Sequence, residues 1–158
     1  MSFKVNITEV GLRDGLQNVD HIVKTADKLC IINGLISAGV KRVQVTSFVH
    51  PGLVPQMADA ESLIRQLPNN NSVEFSGFVL NHKGVERAIE SGLKKIETSI
   101  SASETYSLKN TSMSATQATR SLKNVIKTAK ENGMLRGFAL ANLLEVHGSG
   151  ISEMAEIT

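Results

Sequence analysis

Short β-branched segments alternate with longer segments of helical apolar spacing along most of the chain, and no other feature narrows its fold as much. KVNITEV (residues 4–10) is short, partly alternating and rich in Val, Ile and Thr, and reads as a strand. RVQVTSF (42–48), VEFSGFVL (73–80), KKIETSI (94–100) and LRGFALANL (135–143) repeat the signal. Between them the spacing predicts helices over 25–38, 58–67, 83–91 and 115–132. Thr25 reads as the N-cap of the first helix, Leu29, Ile32 and Ile36 as its apolar face, and Gly39 as the left-handed residue past its end. Pro68 and an Asn-rich turn end the second helix, and Gly92 and Gly133 close the third and fourth. Residues 101–114 read as a long polar loop.

Strands that alternate with helices pair in parallel through right-handed crossovers. Two architectures satisfy that rule, an open doubly wound sheet and part of a closed (β/α)8 barrel. A doubly wound domain is self-sufficient at 158 residues. A barrel takes ~250 residues, so on that reading the chain is a truncated one. Periodicity alone does not choose between the two.

Composition removes several function classes. The net charge of +2 is too small to argue for nucleic acid, and the basic residues are scattered. Aromatic residues make up 4% with no Trp, which speaks against a stacking platform for single strands. Cys30 is the sole cysteine, so neither an intrachain disulfide nor a cysteine-based metal cluster is available. It falls in the first predicted helix between Leu29 and Ile31, where a buried structural thiol is expected. No apolar stretch approaches the ~18 residues of a membrane span. A strand pattern starting near Val5 leaves no room for a signal or transit peptide, so a cytoplasmic protein is expected.

Chemistry concentrates in two segments that directly follow strands, where parallel α/β folds place their active sites. EVGLRDGLQN (9–18) presents Arg13 and Asp14 from a loop containing Gly11 and Gly15. A carboxylate there can hold a divalent metal, and a guanidinium can stabilise an enolate or thioester oxygen. By composition alone the same pair is an ordinary surface ion pair in a glycine turn. VTSFVHPGLVPQMADAE (45–61) offers the Thr46 and Ser47 hydroxyls, and His50 in a loop framed by Pro51 and Pro55. His50, like His21, His82 and His147, reads as an isolated surface histidine rather than a ligand.

Taken together, EVGLRDGLQN, VTSFVHP and VPQMADAE resemble the N-terminal part of 3-hydroxy-3-methylglutaryl-CoA lyases, metal-dependent (β/α)-barrel enzymes. The Arg-Asp-Gly-x-Gln motif alone is shared with Claisen-type synthases of the same barrel group, and the later motifs point to the lyase branch. SASETYSLKN (101–110) is similar to the loop after the fourth strand of these lyases, and LRGF (135–138) to the start of their fifth. The resemblance implies a partial TIM barrel, strands one to about five, in a single domain over residues 1–158. It implies Arg13 as the arginine that stabilises the enolate of acetyl-CoA and Asp14 as a ligand of Mg²⁺ or Mn²⁺. Gln17 and Ser47 are then substrate-binding, with Asn110 a more peripheral neighbour. The implied substrate is an acyl-CoA, and no nucleic-acid or membrane partner is implied.

The departures are specific. Where the lyases commonly carry a glutamate on the second strand this chain has Gln44, which removes a candidate proton acceptor. After Phe138 the sequence ALANLLEVHGSG replaces the family's Gly-Cys-Pro-Tyr-Glu-Gly-like stretch. The family's His-x-His ligands, metal-binding asparagine and catalytic-loop cysteine have no counterpart here. The chain alone is therefore expected to be inactive. A condensing synthase of the same group, or a non-catalytic half-barrel that binds an acyl-CoA or a partner chain, are the alternatives. Val43, Val45, Phe75 and Ile96 are expected to form an apolar inward face, and open strand edges at 4–10 and 135–143 to promote self-association.

Overall fold

The structure, a computed structural model, describes residues 6–101, 103–138 and 155–156. The first strand, β1 (Asn6–Ile7), leads to Glu9, which bridges Val43 in parallel. Glu9 N–H donates to Arg42 O at 2.9 Å, and Gln44 N–H donates to Glu9 O at 2.8 Å. Strands β2 (Arg42–Ser47), β3 (Glu74–Phe78), β4 (Lys95–Thr98) and β5 (Leu135–Phe138) then follow side by side, each parallel to the next. A doubly wound sheet reverses its strand order at an inner strand. Here the order runs with the chain, as in a barrel wall, and the fold is a partial (β/α) barrel. β1 also pairs antiparallel with β6 (Ala155–Glu156), so the first strand has a partner where a bare edge was expected. Residues 139–143 of the predicted fifth strand, and His147, lie outside the described residues.

The helices are α1 (Thr25–Ser37), α2 (Ala60–Arg65), α3 (His82–Glu90), α4 (Glu104–Thr111) and α5 (Ala115–Glu131). None of the described helices is long and apolar enough to cross a membrane. The three glycines expected to end helices all take left-handed φ values, 87° at Gly39, 84° at Gly92 and 67° at Gly133. The Asn81 side chain caps α3 by accepting from Gly84 N–H, and Ser114 and Gln117 form a reciprocal capping box on α5.

Three local expectations are corrected. Thr25 is not a cap, since Lys24 holds that position. Instead the Thr25 hydroxyl donates to Asp59 Oδ2 at 2.7 Å, tying α1 to the loop before α2. Cys30 is exposed, because the buried side of α1 runs through Lys28 and Ile32. The polar segment after β4 contains a helix, α4, started by Ser103, whose hydroxyl accepts from Tyr106 N–H. Its apolar side chains Tyr106 and Leu108 are 48% and 50% exposed, so no apolar stripe marked it in the sequence.

The two faces of the sheet differ in chemistry. Val43, Val45 and Ile96 are buried in one cluster with Ile32, Leu63, Val85 and Val125 from the helices. Gly77 lies in the same layer: a Cβ there would sit 2.8 Å from Leu93 Cδ2 and 2.9 Å from Phe48 Cε2. The apolar face expected to point inward is thus the helix-covered one, with Phe75 packed against the same core. The opposite face is polar and layered. Register pairs Arg42 with Glu74, Gln44 with Ser76, Ser76 with Lys95 and Phe78 with Glu97. In the lower layer Glu74 Oε1 accepts from Lys95 Nζ at 2.6 Å and lies 3.3 Å from Arg42 Nε. The two faces are hard to tell apart in sequence because strands buried on both faces give no outward polar row.

Two ion pairs fasten the outer layer. Lys28, 1% exposed, donates from Nζ to Asp59 Oδ1 at 2.6 Å and to Gln56 O at 2.7 Å. Lys28→Ala leaves Asp59 without its cation and is predicted to cost about 3 kcal/mol in urea unfolding. Arg87 Nε donates to Glu61 Oε1 at 2.6 Å, and Arg87 Nη1 to Val49 O at 2.9 Å. Burial opposes ionisation of Glu61, but the Arg87 hydrogen bond, the Glu61 backbone N–H and the charges of Arg87 and Arg65 together hold the carboxyl below the ordinary range. A depressed carboxyl stabilises the fold above its unfolded value and stops doing so as pH falls through its folded value. The stability gap between wild type and Glu61→Gln should therefore be full above the ordinary glutamate range, at about pH 5 and higher, and shrink steadily as pH falls below that range, read by unfolding at each pH.

Candidate active site

The site starts where the first strand ends. Arg13 N–H and Asp14 N–H both donate to Val10 O, at 3.0 and 2.7 Å, and Leu16 N–H reaches back to Gly11 O. The result is a wide helical turn over Gly11–Gly15, continued by a tighter one over Leu16–Asn18. Gly11 lies against the end of the Glu9 side chain. Its N–H donates to Glu9 Oε1 at 2.6 Å, and a Cβ would lie 2.8 Å from that same oxygen. Leu12 is buried in the core and anchors the turn, while Asn18 Nδ2 donates to Asp14 O at 2.8 Å.

Arg13 is held on three sides. Its Nε donates to Gln44 Oε1 at 2.5 Å, its Nη1 donates to Asp14 Oδ1 at 2.7 Å, and its Cζ stacks 4.8 Å from the Phe78 ring centre. Behind it the fully buried Gln44 donates from Nε2 to Glu97 Oε2. Ser76 Oγ donates to the other oxygen, Glu97 Oε1, at 2.5 Å. Burial presses the Arg13 guanidinium below its ordinary range, and the negative charges of Asp14 and Glu97 pull the other way. An arginine stays protonated under such pressure, so this is a fixed cation in a partly dry setting. Its Nη2 makes no hydrogen bond to the described residues. A fixed donor of that kind can stabilise an anionic oxygen without reorganising.

A register shift completes the face. On β2 the step from Gln44 to Ser47 is three residues, whereas their partners Ser76 and Phe78 are two apart on β3. Side chains alternate every residue along a strand, so the extra residue is what returns Ser47 to the face that carries Gln44. Ser47 is 1% exposed, and its Oγ has no hydrogen-bond partner among the described residues. A buried hydroxyl left unpaired costs roughly 1–3 kcal/mol. It offers donor and acceptor capacity beside Phe78 and the guanidinium stacked on it.

Of the residues singled out from sequence, the structure brings Arg13, Asp14 and Gln17 into one turn, with Gln17 Nε2 3.4 Å from Asp14 Oδ1. Ser47 lies on the adjacent strand. Asn110 falls within α4, and its side chain lies outside the described residues. His50 is exposed and accepts from Gly52 N–H, and His82 is half exposed beside Glu86. Ser76, Phe78 and Glu97 belong to the site and were not anticipated. Their signal was their place on alternate positions of β3 and β4, which becomes informative only once the inward face is known. No group of three His, Cys, Asp or Glu side chains among the described residues could hold a metal ion. Asp14 is a single carboxylate, and a hard cation takes about six or more ligands, so these residues alone do not make a divalent-metal site.

Comparison with known proteins fits this geometry. A family model described as HMGL-like matches residues 4–157. The chain is 38% identical over 128 residues to the hydroxymethylglutaryl-CoA lyase of Bacillus subtilis, covering 81% of this chain and 43% of that protein. It superposes on the crystal structure of hydroxymethylglutaryl-CoA lyase from Pseudomonas aeruginosa with a TM-score of 0.82 at 33% identity, over 87% of this chain and 46% of that one. An HMG-CoA lyase from Acinetobacter baumannii, in complex with coenzyme A and 3-methylmalate, superposes with a TM-score of 0.79 at 28% identity, over 85% and 44%. The chain thus spans a little under half the length of these relatives. With the family model matching nearly its whole length and its strands in barrel order, the chain belongs to the HMGL-like family.

Proposed function

We propose that this chain forms the part of a hydroxymethylglutaryl-CoA lyase site that binds the acyl-CoA and stabilises its enolate. The observation that carries this reading is the Arg13 guanidinium, fixed by Gln44, Asp14 and Phe78, on the same face as the Ser47 hydroxyl, which has no partner among the described residues. The reaction is a retro-Claisen cleavage of 3-hydroxy-3-methylglutaryl-CoA. A base takes the tertiary hydroxyl proton, the C–C bond breaks to release acetoacetate, and the electron pair passes to the thioester as the enolate of acetyl-CoA. An acid then protonates that enolate. In this reading Arg13 donates to the enolate oxygen. Ser47 and Gln17 hydrogen-bond the substrate, and Asn110 is a more peripheral contact.

Asp14 is proposed as one donor to a Mg²⁺ or Mn²⁺ ion, whose other donors come from outside the described residues. With one carboxylate and no such set, the purified chain should release no acetyl-CoA from 3-hydroxy-3-methylglutaryl-CoA in the presence of either ion.

The test joins residues 1–138 to the complementary half of the Bacillus subtilis lyase. That chimera is predicted to cleave 3-hydroxy-3-methylglutaryl-CoA, and Arg13→Ala in it to lower kcat by about 10²–10³-fold. Asp14→Ala should raise the metal concentration needed for half activity. A folded chimera that cleaves equally well with alanine at position 13, or metal-dependent cleavage by the chain alone, would refute the assignment.

A further inference from the structure

We infer that Glu97 is a positioning residue for Arg13, acting through the amide of Gln44. This inference deepens the reading above and borrows from it only the role of Arg13.

Gln44 is 0% exposed, so both ends of its amide must find protein partners. A guanidinium only donates, and an ionised carboxylate only accepts. An amide between the two has one satisfactory orientation, with oxygen to Arg13 and NH2 to Glu97, which is the one observed. Were the amide reversed, two donors would meet at Arg13 and two acceptors at Glu97. Ser76 reinforces the polarity by donating to the second Glu97 oxygen. Each hydrogen bond from Arg13 through Gln44 to Glu97, and from Ser76 back to it, therefore has a fixed sense.

The charge count leads to the same residue. Position 44 is an amide, so β2 places no negative charge behind the half-buried cation. Glu97 places one there from β4, and its charge acts on Arg13. A carboxylate at position 44 would instead face the Glu97 carboxylate across a contact that now holds a hydrogen bond, and like charges so close cannot both ionise freely. Residues 44 and 97 are thus a matched pair: amide on β2, acid on β4. Exchanging them conserves the charge and every donor–acceptor match. A glutamate at 44 accepts from Arg13 and from the glutamine NH2 at 97, and the amide oxygen at 97 accepts from Ser76.

Two measurements on the full chain, without substrate, test this. The first is solvent exchange of the Arg13 Nε–H proton by NMR. Wild type should show slow exchange, and Glu97→Ala should speed it on the order of tenfold, with Glu97→Gln between the two. The second is a double-mutant cycle in thermal unfolding. Q44E and E97Q should each lower Tm by about 3 °C, and the Q44E/E97Q double variant should return close to wild type. Arg13 exchange as fast as a free arginine in wild type, or unchanged within twofold in E97A and E97Q, would overturn the inference. Additive Tm losses in the double variant would overturn it as well. If E97A does not fold, the isosteric cycle decides alone. A chimera that fails to cleave its substrate counts against the proposed function and leaves both measurements untouched.

Discussion

The Gln44 amide is the joint on which the rest of this site depends. It lies on β2, receives Arg13 from the turn after the first strand, and hands a hydrogen bond on to Glu97 of β4. Three segments far apart in sequence are locked by one side chain that water does not reach. In such a place a hydrogen bond is strong and an unmade one is costly, so the network either forms completely or destabilises its surroundings. Arg13 can be half-buried and still charged because Asp14, Gln44 and the Phe78 ring surround it.

The sheet makes this arrangement possible by dividing its chemistry between faces. Val43, Val45 and Ile96 pack under the helices and supply the burial that holds the strands in place. The other face is then free to carry layers of polar side chains, Arg42, Glu74 and Lys95 below and Gln44, Ser76 and Glu97 above. The register slip on β2 adds the Ser47 hydroxyl to the upper layer, beside Phe78. Folding energy is thus drawn from one side of each strand and the chemistry from the other, as in barrels with active sites at the C-terminal ends of their strands.

Much of the fold was legible because periodicity and chain punctuation are local. Strand positions, four of the helices and the left-handed glycines at 39, 92 and 133 can be read within a few residues of each signal. The placement of Arg13 and Asp14 in a turn after the first strand, and of Ser47 at the end of β2, was legible because both motifs stand at strand ends. What was missed depends on more distant structure. α4 has no apolar stripe and rests on a serine cap and the Glu104 carboxylate, which accepts from Ala115 N–H at the start of α5. Cys30 looked buried because its neighbours are apolar, yet the helix turns it outward. The inward face was assigned to the wrong residues, and with it went Glu97, whose partner Gln44 is 53 positions away and is found only through strand register.

The site rests on the sense of one amide, and neutron diffraction from a deuterium-exchanged crystal observes that sense directly, since it distinguishes nitrogen from oxygen and locates the deuterons. The predicted map shows deuterons on Gln44 Nε2 directed at Glu97, the Gln44 oxygen facing Arg13 Nε, and no deuteron on either Glu97 oxygen. A reversed amide, a protonated Glu97, or an Arg13 side chain turned away from Gln44 would contradict it.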